Sequence, residues 1–156
     1  MSKSLKRVKA RIADLGLDID ILHVDQPTNT AQQAADVIGC SADQIVKSVI
    51  FLGTDTGRAI LFLTAGGNRV DVAKASTLVG EPLGKADATL IREQTGFAIG
   101  GVSPFGHLGP IRTFMDPRLL DFGVIWAAAG TPNHMFDIDP HILAEKTGAT
   151  LGAFAE

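Results

Sequence analysis

At 156 residues, with 46% hydrophobic and 20% charged side chains, the chain is long enough to bury one substantial core and too apolar for intrinsic disorder. Its formal net charge of −3 excludes a protein that coats nucleic acid through bulk electrostatics, although a local basic pocket escapes that argument. No apolar run approaches the length that spans a bilayer, and the one cysteine, Cys40, cannot form an internal disulfide, which fits a reducing compartment. The expectation is a single domain over residues 1–156, cytoplasmic and without a membrane partner.

The first residues carry Lys3, Lys6, Arg7 and Lys9 but run into Ile12-Ala13-Asp14-Leu15 rather than an unbroken apolar stretch, so a secretory signal is not expected. Leu5, Val8, Ile12 and Leu15 recur at helical spacing, which predicts an amphipathic helix over 4–15 with Ser4 as its cap. Ile19 to Val24 reads as a short strand. Asn29 or Thr30 begins a second helix through Ala31, Ala34, Ala35 and Ile38, stopped by Gly39.

Two apolar runs, Ile45 to Leu52 and Ala59 to Thr64, flank Gly53-Thr54-Asp55-Thr56-Gly57, and that turn chemistry predicts an antiparallel hairpin at the centre of the sheet. Val72, Ala75, Leu78 and Val79 suggest a helix, and Asp87 can cap another through Leu90 and Ile91 up to Gly96. Ile111 to Met115, Phe122 to Ala128 and Met135 to Ile138 read as strands, with a turn at Asp116-Pro117. Pro140 starts a last helix that ends at Gly148. Strands clustered without regular βαβ alternation predict an α/β (α+β-like) fold with a mixed, partly antiparallel sheet.

Two features resist a purely structural reading. The run Gly100-Gly101-Val102-Ser103-Pro104-Phe105-Gly106 uses three glycines and a proline to shape backbone, as a tight turn or as a loop presenting main-chain groups to a ligand. Lys47 interrupts an apolar strand and by alternation shares a face with Ile45, Val49 and Phe51. Its ammonium must reach solvent, find a carboxylate or meet an anionic ligand.

Other chemistries find little support. Ser103 lacks the second glycine of a nucleophile elbow, and no pattern places a base beside it, so a structural role is expected. His23, His107, His134, His141 and Cys40 never fall into a metal-ligand spacing, so no metal is expected, and no phosphate-binding fingerprint predicts a nucleotide cofactor. His134 ends the turn Gly130-Thr131-Pro132-Asn133, where a surface histidine is an ordinary occupant.

Taken together, Gln44-Ile45-Val46-Lys47-Ser48-Val49, the loop from Gly96 to Gly106 and Ala128-Ala129-Gly130 resemble the YbaK/EbsC family, the trans-editing relatives of the prolyl-tRNA synthetase insertion domain. The likeness runs most clearly from Thr28 to Pro140. It implies a largely antiparallel curved sheet surrounded by short helices, and an aminoacyl-tRNA deacylase that hydrolyses the ester of mischarged prolyl tRNA without a cofactor. It further implies that Lys47 contacts the 3′-terminal nucleotide and that the loop, with Gly100 and Gly101 central and Val102, Ser103 and Pro104 beside them, holds the aminoacyl ester through main-chain groups.

Ala128 and Gly130 would complete the substrate site, and His134 aligns with a histidine that shapes a small pocket in alanine-editing members. The cysteine-editing branch looks like one with a serine before Ala-Gly and a nearby tyrosine, whereas this chain has Ala128 there and no tyrosine. The implied substrate is therefore a small, alanine-like amino acid. The implied partners are the tRNA acceptor end and prolyl-tRNA synthetase, with oligomeric state left open. A non-catalytic module that only holds a tRNA end or nucleotide is the alternative reading.

Overall fold

The computed structural model describes residues 2–156. Helix α1 (Lys3–Asp14) forms because Leu5, Val8 and Ile12 recur on one buried face. Its cap is Ser2, whose hydroxyl accepts from the Leu5 N–H at 3.0 Å, and not Ser4. Ser4 is thereby released for a tertiary bond, donating its hydroxyl to the Gly96 carbonyl at 3.3 Å.

After β1 (Ile21–His23) comes α2 (Ala31–Ile38), opened by a capping box between Thr30 and Gln33 and closed by Gly39. A 3-10 turn over Ala42–Gln44 is too short to leave a periodic signature, and it delays the predicted strand by one residue. The hairpin of β2 (Val46–Gly53) and β3 (Arg58–Ala65) follows, then α3 (Val72–Val79), β4 (Leu83–Lys85) and α4 (Ala88–Thr95). The two helices are capped by Asp71 and Asp87. β5 (Arg112–Met115), a 3-10 turn over Pro117–Asp121, β6 (Ile125–Ala128), β7 (His134–Ile138), α5 (Pro140–Thr147) and β8 (Thr150–Leu151) complete the chain.

The strands form two sheets, ordered β4-β2-β3-β5-β8 and β1-β7-β6. Pairing is antiparallel except for β3–β5 and β5–β8, so the mixed, largely antiparallel expectation holds while the single sheet divides in two. β2 and β3 occupy the interior of the larger sheet, as the hairpin predicted. β3 is buried from Ala59 to Ala65 because both faces are covered. Leu61 and Leu63 meet α1 and Phe136, while Ile60 and Phe62 meet Phe114, Phe154 and α3. The sheets share a core, but among the described residues their backbones are joined by a single bridge, between Ile45 and Trp126. β4 pairs only with residues 51–53 of β2, so the earlier half of that edge stands open.

The glycine loop is fixed from behind by α1. Gly130 has φ +97°, and a Cβ there would lie 2.9 Å from the Ser4 carbonyl; a Cβ on Gly101 would lie 2.9 Å from the Gly130 oxygen. Arg7 donates to the carbonyls of Gly96 and Gly106, at 2.6 and 3.0 Å, with its guanidinium over the Phe97 ring. His107 sets its Nε2 2.7 Å from the Ser103 carbonyl. A carbonyl can only accept, so Nε2 carries the proton and Nδ1 is left buried without a partner. Burial, reinforced by nearby Arg7 against the opposing Ser103 bond, lowers the His107 pKa to about 4.

Two measurements test this clamp. Gly130→Ala adds backbone strain and overlap, and is expected to lower the unfolding free energy in urea by about 2–4 kcal/mol. Gly148→Ala, with φ +67° but nothing within 4 Å, should cost roughly 1–2 kcal/mol. For His107 the unfolded chain protonates near 6.5 and the folded chain near 4. Stability from its neutral form is therefore whole above pH 6.5 and drains as pH falls toward 4, by about 2 kcal/mol between pH 7.5 and 5. His107→Gln should flatten that part of the pH profile of unfolding; an unchanged profile would count against the buried neutral imidazole.

Candidate active site

Where the two sheets diverge, a cavity of about 250 Å³ opens between the start of α2, the free edge of β2 and the glycine loop. Lys47, Ser48, Gly100, Val102, Ala128 and Met135 are on its wall. Lys47 is the only titratable side chain there among the described residues.

Lys47 is half-buried. Strand alternation puts its side chain on the face of Val49 and Phe51, which pack toward Phe62, whereas Ile45 sits before the strand and packs with Ala34, Ala35 and Met135. The ammonium donates to the Asn68 carbonyl. Burial lowers its pKa first and Arg69 second, while Asp116 and Asp43 pull the other way. An ammonium has three donors, so a further anion or carbonyl can be received.

The turn that holds Lys47 is itself anchored. The buried Asp116 carboxylate accepts from the Ala65 N–H at 3.2 Å, the Asn68 amide at 2.8 Å and the Arg118 N–H at 3.0 Å. Asp43 accepts from the Gly67 N–H at 2.8 Å and from Arg118 Nε at 3.1 Å. Neither carboxylate reaches the cavity wall.

The loop divides its labour. Gly100 and Val102 face the cavity, and Gly101 lies against the Gly130 backbone. Ser103 is fully buried, its hydroxyl accepting from the Phe105 N–H at 3.2 Å, an internal bond that leaves it no path to a substrate. Pro104 is buried with Phe105 and lies toward a different hollow, beside Arg11 and Lys146.

Gly130 and His134 are off the wall of this cavity. His134 precedes the wall residue Met135 and so points to the opposite face of β7. Its Nδ1 is 2.6 Å from the Thr131 hydroxyl and its ring meets His23 edge-on at 5.0 Å. Burial lowers its pKa, with His23 and Lys9 adding to the effect.

Ser48, Asn29, Ile99 and Met135 also line the cavity and carried no sequence signal strong enough to single them out. Ser48 had a faint one, being the second polar residue in an apolar strand. Its hydroxyl is buried without a hydrogen-bond partner.

A larger hollow of about 900 Å³ lies at the far end of the hairpin, beside Arg58, Glu81, Gln94 and Arg112. Its polar groups are mostly spent internally. Gln94 bonds the Ala59 N–H and Gly57 carbonyl, Arg112 the Val79 carbonyl, and Glu81 the Thr56 N–H and hydroxyl. Among the described residues no three His, Cys, Asp or Glu side chains are grouped to hold a metal, and no helix is long and apolar enough to cross a membrane.

Comparison with known proteins gives this arrangement its family. Residues 25–146 match the aminoacyl-tRNA editing domain. The fold superposes with a TM-score of 0.93 on the crystal structure of a protein put forward as a trans-editing enzyme for prolyl tRNA synthetase, at 41% identity over 100% of this chain and 99% of that one. The uncharacterized protein YwhH of Bacillus subtilis (strain 168) is 31% identical over 142 residues, 91% of this chain and 90% of YwhH. The proline–tRNA ligase of Nitratidesulfovibrio vulgaris (strain DP4) is 28% identical over 112 residues, 70% of this chain but 19% of the ligase. The cavity between Lys47 and the glycine loop thus lies within a match that covers most of the sequence: the chain belongs to the aminoacyl-tRNA editing domain family.

Proposed function

We propose that residues 1–156 act as one aminoacyl-tRNA deacylase that removes a small, alanine-like amino acid from mischarged prolyl tRNA. The observation that carries this reading is the pairing of one cation, Lys47, with a backbone loop across a small cavity that has no other titratable group on its wall. Ester hydrolysis needs a held phosphate or ribose, stabilisation of a developing oxyanion and a route for one proton. Lys47 suits the first need, and main-chain dipoles of Gly100 to Val102 suit the second.

Among the described residues no carboxylate or imidazole stands at the wall to serve as base. The terminal ribose 2′-hydroxyl therefore assists the attacking water. Water adds to the ester carbonyl, the bond to the ribose 3′-oxygen breaks, and that oxygen leaves with a proton as the free amino acid departs.

Ala128, Val102, Ile99 and Met135 favour a short apolar side chain. Selection by size alone is weak, about 1–3 kcal/mol per methylene, so neighbouring small residues are hydrolysed more slowly rather than refused. Prolyl-tRNA synthetase, which competes for the same tRNA, is the natural partner, and the cytoplasm the natural place.

Prolyl tRNA charged with alanine, 2-aminobutyrate, serine or cysteine provides the test. Alanine is expected to be released fastest, and Lys47→Ala to lower kcat/KM on the alanyl ester by about 100-fold, or ~2.7 kcal/mol. Binding without accelerated ester loss would point to a module that only holds the tRNA end. Full activity in Lys47→Ala would remove that residue from the mechanism.

A further inference from the structure

Charge on this protein is segregated. Five of its 14 lysines and arginines are on α1, against one of its 17 acidic residues, Asp14. The rest of the chain therefore carries nine basic against 16 acidic residues. Lys3, Lys6, Lys9 and Arg11 are exposed. Among the described residues the ion pairs join Arg118 and Lys146 to carboxylates, with His23 beside Asp25, and none involves a cation of α1.

For the fold alone this is a poor arrangement. Lys3–Lys6, Lys3–Arg7, Lys6–Lys9 and Arg7–Arg11 are like-charge neighbours three or four apart, and each such pair disfavours a helix. Lys3 and Lys6 also crowd the positive end of the helix dipole, and the first turn has no acidic residue. Arg7 is absorbed by the Gly96 and Gly106 carbonyls. The other cations are left facing outward with no structural employment.

Their position ties them to the cavity. α1 lies directly on Gly130, two residues beyond the wall residue Ala128, and its Arg7 grips both ends of the glycine loop. Lys9 acts electrostatically on His134, which meets His23 at the end of the smaller sheet. Two exposed acids bound the basic strip on that side: Asp25 stands 3.8 Å from His23, and Asp20 shares a surface hollow with Lys9.

We infer that the outward face of α1, through Lys3, Lys6 and Lys9, docks the phosphate backbone of the tRNA whose aminoacylated end enters the cavity, an inference that rests on the editing reading. Phosphate contacts of this kind add affinity and register without reading sequence. A rigid helix bonded to the loop fixes the distance between the held backbone and the ester.

The experiment combines Lys3→Ala, Lys6→Ala and Lys9→Ala in one variant. These side chains are exposed and alanine favours helix, so the fold is expected to survive, checked by circular dichroism and Tm. Two substrates are compared: alanine-charged prolyl tRNA, and a short oligonucleotide ending in CCA that bears the same ester. On tRNA, kcat/KM should fall about tenfold or more near physiological salt, chiefly through KM, and the slope of log(kcat/KM) against log salt should shrink by about 2–3. On the oligonucleotide the variant should match the parent, and the corresponding triple arginine variant should restore tRNA turnover.

Unchanged kinetics on tRNA would overturn the inference. So would an equal loss on both substrates, which would mean that α1 acts through the loop, or binding of the parent to vesicles rich in phosphatidylserine without salt-dependent binding to tRNA. If the parent hydrolyses neither substrate, the deacylase reading fails on its own. Binding of uncharged prolyl tRNA then decides the docking face: weakened in the alanine variant it stands, unchanged it falls.

Discussion

The cavity depends on backbone packed against backbone. Ser4 on α1, Gly130 after β6 and Gly101 in the loop lie in series, each too close to the next for a Cβ to intervene. Side chains in a core can change rotamer to absorb a shift, whereas three main-chain segments in direct contact cannot. The positions of Gly100 and Val102 are therefore inherited from α1 and, through Leu5, Val8 and Ile12, from the core beneath it. That rigidity matters if the loop is to stabilise charge by oriented dipoles, because such groups help only when they need not reorganise.

Around this spine the protein places its costly groups where neighbours can bear them. Asp116 is buried but accepts three hydrogen bonds, which fixes the turn whose Asn68 carbonyl holds Lys47. His107 remains neutral because burial, helped by nearby Arg7, outweighs its bond to the Ser103 carbonyl, which alone would favour the charged ring. Lys47 is the exception. Its charge is only partly compensated by Asp116 and Asp43, both of which act from a distance and against its desolvation. A cation left in that condition beside an open cavity is stabilised further by any anion that enters.

Much of this was legible in the sequence, for identifiable reasons. Helices α2 and α4 announce themselves through caps at Thr30 and Asp87 and stops at Gly39 and Gly96, α5 through Pro140 and Gly148, and α3 through the spacing of Val72, Ala75, Leu78 and Val79. The hairpin was readable because its turn chemistry is local. β4, β8 and the 3-10 turn at 42–44 were not, because elements of two or three residues have no period to detect. Lys47 and the glycine loop stood out as residues that a plain core would not choose. Ser48, Ile99 and Met135 did not, since a cavity wall looks like core until the separation of the two sheets is known.

The division of the sheets explains how a backbone-lined cavity arises in so small a protein. A β-strand normally spends both edges on neighbours. Here β4 covers only the last residues of β2, and among the described residues β6 bridges to the β2 side only at Ile45, just before that strand. Main-chain groups from Val46 to Val49 are thus left facing the glycine loop across the gap. Closing that gap with a longer β4 would give a more continuous sheet and remove the cavity. The open edge therefore acts with the loop as one constraint, and between them these two stretches of backbone leave room for a narrow ligand whose polar atoms lie along its length, as those of an aminoacyl ester do.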